Sequence, residues 1–318
     1  MCEQSSRVQP TKCEGERRLS LPVQSVFQKL LAEKKEAQLK RFYNLFRYKS
    51  IYLFSAEAVN IMRANECLQA RPDDVIVSGY LRSGTTWTQA IVQLILYNDI
   101  SPVRAFGMDN SGRWSALHRV RKEVIDQKPS TRLLKAHMPM HLLPVSFLKK
   151  HCKIIYIYRN VKDVMVSLFY AAKGNPEYRY TSPQDDFDAF VELFMTGKVV
   201  FGSYFSHIAS AWIYRTNSNF LFLNYDSILT DPEGNIIRIA EFLGKSLSVD
   251  QLAHVAKASS FDEMKKWDTT QDNSSWTFLH NGKSGAWRSH FTSEVLLRRV
   301  DDWIATQTSS KELEGFCF

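Results

Sequence analysis

The sequence predicts an α/β fold, a parallel sheet flanked by helices on both faces, with a P-loop-like anion-binding loop after the first strand. Three observations predict it. A short apolar run, Val75-Ile76-Val77, ends at a glycine-flanked loop that reads GYLRSGTTW over residues 79–87, and a helix-period stripe follows. Further apolar runs alternate with helix-period segments along the chain, the pattern of crossovers that make strands parallel. The length of 318 residues suits one large domain with an ample core.

Residues 1–22 are polar and unpatterned and read as a mobile N-terminal arm, leaving 23–318 as a single domain. Residues 23–41 read as a basic amphipathic helix packed on that domain, with Val23, Phe27, Leu30 and Leu31 on one face. Asp73-Asp74 leads into the first strand, and Thr85 to Tyr97 is the helix after the loop, striped by Trp87, Ile91, Leu94 and Ile95. Strands are expected at Arg132–Ala136, Lys153–Tyr158 and Phe220–Tyr225. Helices are expected over 162–172, 186–197, 202–215, 228–243 and 293–306. Asp231-Pro232 fits a helix start and Gly244 a helix end. The stretch 265–290, rich in Asp, Asn, Ser, Trp and Gly, reads as a long functional loop.

Composition narrows the partners. Hydrophobic residues make up 44% and charged residues 23%, ordinary for a soluble enzyme, and a formal charge of +8 favours anionic ligands. No zinc-finger, RNP or basic-helix motif points to nucleic acid. Cys2, Cys13, Cys67, Cys152 and Cys317 are odd in number and lack metal-ligand spacing, which suits a reducing compartment. No apolar stretch approaches the roughly 20 residues of a membrane span, and the N-terminus lacks a secretory h-region. Cytoplasm is the expected location, with neither membrane nor nucleic acid as partner.

The glycine loop carries the first chemical signal. Its Gly79–x4–Gly84 spacing is that of a Walker A loop, but Thr85 and Thr86 stand where Lys and Ser or Thr belong. Without that lysine the loop suits a shorter phosphate group than a nucleoside triphosphate offers. Arg82 sits inside the loop, and free N–H groups at the helix start still favour an anion. Two more strand ends bear functional groups. RLLKAHMPMHLLP (132–144) carries Lys135 and His137 two apart, on one side of a strand, and YIYRNVKDVMVSL (156–168) carries Arg159 at a strand–helix junction with Ser167 beyond.

Together these three segments closely resemble the cytosolic sulfotransferase family. The resemblance continues through NYDSILTDPEGNIIRIAEFLG (224–244), SSFDEMKKW (259–267) and FLHNGKSGAWRSHFT (278–292), and covers residues 66–307 in the family's order. The loop arginine, PEYRY and KVVFGSYF resemble arthropod members more than vertebrate ones. The resemblance implies transfer of a sulfuryl group from 3′-phosphoadenosine 5′-phosphosulfate (PAPS) to a hydroxyl or amine, with adenosine 3′,5′-bisphosphate (PAP) as product and no metal. It assigns Arg82, Ser83, Gly84, Thr85 and Thr86 to the 5′-phosphosulfate and Trp87 and Phe261 to stacking on adenine. Arg159 and Ser167 match the 3′-phosphate positions, where a guanidinium suits bidentate pairing. Tyr225, Ser259, Ser260 and Met264 match adenine contacts, and His280, Asn281 and Gly282 match the late phosphate loop. His137 is then the base that takes the acceptor's proton, while Lys135 and Arg82 stabilise developing negative charge.

Alternative readings stand beside these. His118, His151 and His254 read as structural, and His141 as a candidate for the acceptor pocket. Segments 43–58, 104–116 and 174–183 are expected to line that pocket for a phenol, catecholamine or sterol-like acceptor. The chain departs from the family at Leu81 and Arg82 (proline and lysine), at His280-Asn281 (arginine and lysine) and in its longer basic N-terminal arm. The dimer motif K-x-x-x-T-V-x-x-x-E, on Arg288 to Leu297, keeps Thr292 but has Ser293 and Leu297 where valine and glutamate belong, so a homodimer by that route is not implied. Losing two loop cations favours a rival reading, a sulfotransferase-like protein that binds nucleotide with weak turnover or none. A nucleotide kinase is a second rival, opposed by the missing Walker lysine.

Overall fold

Five parallel strands in the order β4-β5-β3-β6-β7 make the central sheet, with β3 (Val75–Ser78) in the middle. This is a computed structural model that describes residues 45–49, 51–98, 113–149, 152–174, 186–269 and 282–318. All belong to one compact unit, Asn44–Phe318. The expected arm (1–22), the basic helix (23–41), PEYRY, and His280-Asn281 lie outside the described residues.

β5 (Leu133–Ala136) and β6 (Lys153–Tyr158) flank β3, with Val75 opposite both Leu133 and Lys153. β4 (Trp114–Ala116) and β7 (Phe220–Asn224) close the two edges. The strands are nearly all apolar because both faces are covered, and the side chains alternate between two cores. Ile76, Leu134, Ile154 and Tyr156 enter one core, and Val75, Val77, Leu133, Ile155 and Ile157 the other. Arg132, expected to open β5, lies just before it and grips Asp74 with Nε and Nη2 at 2.7 and 2.6 Å. Both side chains are buried, and this paired fork ties the amino end of β5 to that of β3.

A hairpin precedes the sheet, β1 (Leu45–Tyr48) and β2 (Ile51–Phe54), and α1 (Ser55–Cys67) follows it; the sequence reading did not foresee these elements. α2 (Thr85–Tyr97) starts where the loop ends. α3 (Lys122–Asp126) and α4 (Val145–Lys149) are short connectors. α5 (Val161–Gly174), α6 (Phe187–Met195) and α7 (Tyr204–Trp212) fall within a few residues of their expected spans.

The helix expected over 228–243 is two helices, α8 (Tyr225–Thr230) and α9 (Pro232–Leu243). Asp231 breaks them: its side chain accepts from Gly234 N at 2.9 Å, and Pro232 brings no N–H to continue α8. Gly244 ends α9 in the left-handed region (φ 75). β7 stops one residue early, because Asn224 accepts from Asp226 N at 2.8 Å and starts α8 at Tyr225. α10 (Val249–Ala258) opens on a capping box of Ser248 and Gln251. α11 (Phe261–Thr269) runs into the stretch read as loop from 265, supported by Asp262 and Glu263 in its first turn. α12 (Glu294–Thr308) is the last α-helix among the described residues, followed by a 3-10 turn at Lys311–Leu313. Among the described residues no helix is long and apolar enough to cross a membrane.

Candidate active site

Because every strand of the main sheet runs the same way, their carboxyl ends form one edge. Ligands bind at such an edge where the chain order reverses, and β3, with β5 on one side and β6 on the other, is that point. Here the loop leaves β3. Gly84 has φ 106, and a Cβ there would lie 2.6 Å from Tyr225 Cδ2, so only glycine lets the loop pass the ring. Gly84 caps α2 without a side-chain hydrogen bond, which leaves the first-turn N–H groups to a ligand. Arg82 also has positive φ (67), and its Nε donates to Ser167 Oγ at 3.0 Å. Ser83 Oγ is buried with no hydrogen-bond partner among the described residues.

The β5 end supplies Lys135 and, just past the strand, His137. Lys135 is 1% exposed, and its Nζ stands 3.4 Å from Thr86 Oγ1. Burial, reinforced by Arg119 and Arg82, lowers its pKa to about 7. His137 Nδ1 lies 2.8 Å from Gly79 O. A carbonyl can only accept, so the proton sits on Nδ1 and the lone pair on Nε2. Burial first, then Lys135 and His118, hold His137 well below the usual histidine range, so this ring is neutral at physiological pH. Its backbone is fixed as well: His207 Nε2 donates to His137 O (3.1 Å), and Tyr156 OH donates to His207 Nδ1 (2.7 Å).

The β6 end supplies Arg159. Its guanidinium carbon lies 4.3 Å from the Tyr225 ring centroid, Nη2 donates to Lys283 O at 2.8 Å, and Nε is buried without a partner among the described residues. Tyr204 OH donates to the Arg159 carbonyl. Trp87 meets Tyr225 edge-on at 5.3 Å and donates through Nε1 to Ser259 O at 2.8 Å. The hydroxyl of Ser259 donates to Val255 O, and Ser260 Oγ accepts from Glu263 N, so both serve helix ends. Gly282 (φ 59) presses on Phe261, whose ring a Cβ would meet at 2.3 Å. Met264 is buried beside it.

Arg82, Thr86, Trp87, Lys135, His137 and Arg159 all border one cavity of about 300 Å³. Gly84, Thr85, Ser167, Tyr225, Ser259, Ser260, Phe261, Met264 and Gly282 border it too. Ser83 is buried and does not border it. His141 is exposed and does not border it. Several cavity residues escaped the sequence reading, His118, Arg119, Asp163 and His290 among them. His118, taken there as structural, has no motif around it, whereas Asp163 carried a readable signal as an acidic residue in the first turn of α5. Asp163 accepts from Gly285 N (2.8 Å) and Trp287 N (3.1 Å), and so fastens the late loop to α5.

The family model described as Sulfotransferase domain matches residues 72–312. Sulfotransferase 1B1 of the dog, Canis lupus familiaris, is 34% identical over 262 residues, which cover 77% of this chain and 86% of that protein. The solved structure of mouse sulfotransferase SULT7A1 complexed with PAP superposes with a TM-score of 0.71 at 27% identity, over 84% of this chain and 95% of that one. Retinol dehydratase in complex with androsterone and inactive cofactor PAP superposes with a TM-score of 0.72 at 25% identity, over 92% and 95% of the two chains.

Proposed function

The chain belongs to the sulfotransferase family, and from that premise we propose how its residues divide the work of sulfuryl transfer from PAPS to a small acceptor. The observation that carries the proposal is the state of His137. With its Nδ1 proton committed to Gly79 O, the ring offers an unprotonated Nε2 as general base beside the loop that holds an anion.

The residues present fit such a donor. Arg159, which borders the cavity, has a buried Nε awaiting an acceptor, and the uncapped start of α2 adds backbone N–H groups. Bound PAPS supplies a sulfuryl group attached to a good leaving phosphate. Lys135, Thr86 and the α2 start would neutralise charge that develops there, on dipoles set in advance by folding. Arg159 would hold the 3′-phosphate, with Ser167 steadying Arg82. Trp87 and Phe261 would offer their faces to the adenine. His280-Asn281 would supply at most one ionisable group in place of the two loop cations of the family pattern. His137 Nε2 takes the acceptor's proton as the new bond forms.

The acceptor class we propose is a small aromatic or hydrophobic hydroxyl or amine compound, since Leu81, Val166, Leu168 and Ala171 contribute an apolar wall to the cavity. The androsterone bound to retinol dehydratase is of that general kind. Cytosol is the compartment we propose, which suits the unpaired thiols of Cys67, Cys152 and Cys317.

Calorimetric titration with PAP, against ADP as control, tests the donor site. Micromolar binding selective for the 3′-phosphorylated nucleotide is expected. Equal binding of ADP would overturn the assignment of Arg159 to the 3′-phosphate and favour the weakly catalytic rival.

A further inference from the structure

We propose that His118 makes the enzyme select acceptors with a second O–H donor beside the reacting one, a catechol or other 1,2-diol. This rests on the cavity being the acceptor site with His137 as base. His118 follows β4, is 3% exposed, and borders the same cavity. Its ring centroid lies 5.5 Å from that of His137, with the planes tilted by 54°. Phe201 meets it edge-on from another side at 5.4 Å.

The tautomer of His118 follows from its neighbour. Nε2 faces the buried carboxylate of Glu57 at 3.9 Å, and Arg119 Nε is 3.5 Å from the same oxygen. At 3.9 Å this is a charge contact and not a hydrogen bond, but the negative carboxylate favours the tautomer with the proton on Nε2 and the lone pair on Nδ1. That Nδ1 is sealed from bulk solvent and has no hydrogen-bond partner among the described residues. Burial, with Arg119 and Lys135 nearby, keeps the ring neutral.

Two adjacent imidazoles therefore each hold an unfilled acceptor nitrogen, Nε2 on His137 and Nδ1 on His118. Neither can satisfy the other, because each ring's single proton is directed elsewhere, to Gly79 O and toward Glu57. A simple alcohol or phenol has one proton to donate. Given to His137, it leaves the buried Nδ1 of His118 unpaired as in the free protein, so a mono-hydroxy acceptor gains nothing there. An ether or carbonyl oxygen beside the reacting group does no better, since it too only accepts. A neighbouring hydroxyl supplies the missing donor, and the two groups of a 1,2-diol are bound as a pair.

The test compares catechol with phenol, which lacks the second hydroxyl, and with 2-methoxyphenol, which blocks it. Affinity for the PAP-loaded protein is measured by calorimetry, and sulfated product from PAPS is measured separately. Catechol is expected to bind the PAP-loaded protein roughly tenfold or more tightly than either comparator. His118→Phe should abolish the preference, while His118→Asn, whose side-chain oxygen replaces the Nδ1 acceptor, should keep part of it. Unchanged PAP affinity shows that each variant is folded. Equal binding of all three compounds, or a preference that survives His118→Phe, would overturn the proposal. Preference in binding without product from any acceptor would support the role of His118 and count against sulfuryl transfer in this cavity, so the two readings fail separately.

Discussion

The two halves of the site are held in different ways. At the strand edge, the groups around the proposed base are fixed from several directions. Tyr80 OH donates to Gly202 O (2.8 Å), His137 is pinned at its ring and at its carbonyl, and Met140 N donates to Ser210 Oγ (2.9 Å) just beyond. The late segment 282–290 is partly exposed throughout and is held at a few points: Asp163 accepts from Gly285 N and Trp287 N, Arg159 donates to Lys283 O, His290 Nε2 meets Tyr170 OH at 3.0 Å, and Lys162 lies over the Trp287 ring. The difference separates two tasks. Proton transfer tolerates little displacement of the base, whereas a phosphate can be gripped by a segment that is clipped into place. On the proposed assignment, the rigid scaffolding serves turnover and the clip serves binding.

The largest expected effect breaks the first half. His137→Ala should lower kcat by about 10²–10⁴-fold, the range for a positioned acid–base group, with PAP affinity nearly unchanged. Sulfation that persists undiminished would remove the proposed base. Next comes the anchor shared by both halves. Arg159→Ala removes a charge-assisted contact of roughly 1.5–3 kcal/mol, so PAP should bind about tenfold to a hundredfold more weakly in calorimetry. Arg159→Lys should recover only part of this, because an ammonium cannot reproduce the planar fork. Full recovery by lysine would reduce Arg159 to a point charge.

A smaller effect sharpens the comparison. Asp163→Asn keeps the side chain's size but weakens the two hydrogen bonds that Asp163 accepts from the late loop. PAP affinity should fall by several-fold, about 1 kcal/mol, while kcat at saturating donor stays within twofold. A fall in kcat as large as that of His137→Ala would show that the late loop shapes the chemistry, and the division between halves would fail.

The same division explains what the sequence revealed. The strand-edge motifs are contiguous, and each joins an apolar run to a glycine, an arginine or a histidine pair, so β3, β5, β6 and the candidate residues at their carboxyl ends were readable within a residue or two. β4 has only Trp114, Ser115 and Ala116, too short for a period to show. The break at Asp231 was visible as a helix start, yet the apolar period of α8 runs on into α9 and hid the boundary. α11 was misjudged because FDEMKKWDT has little apolar content and gains its order from its capped, acidic start. His118 was unreadable for a different reason: its significance comes from Glu57 and His137, which approach it only through the tertiary fold. Long-range charge placement leaves no local pattern.

Lys135 yields the last and smallest prediction, and it concerns protons. Buried beside Arg119 and Arg82, its amine titrates near 7 in the free protein rather than in the usual lysine range. A phosphate or phosphosulfate bound at the loop would favour the charged amine and raise that pKa again. Binding at pH 8 must then take up a proton, and affinity should fall as pH rises above about 7 until the raised pKa of the complex is passed. Below about pH 6 the amine is charged in both states and contributes no pH dependence. Calorimetry of PAP binding at pH 8, in buffers of different ionisation enthalpy, should show uptake of up to about one proton in the natural protein. Lys135→Met provides the baseline, since the phosphates' own titration persists in it and can be subtracted. Equal uptake by both proteins would mean that Lys135 keeps its proton throughout, and the strand edge would then present a permanent cation instead of one recharged by its ligand.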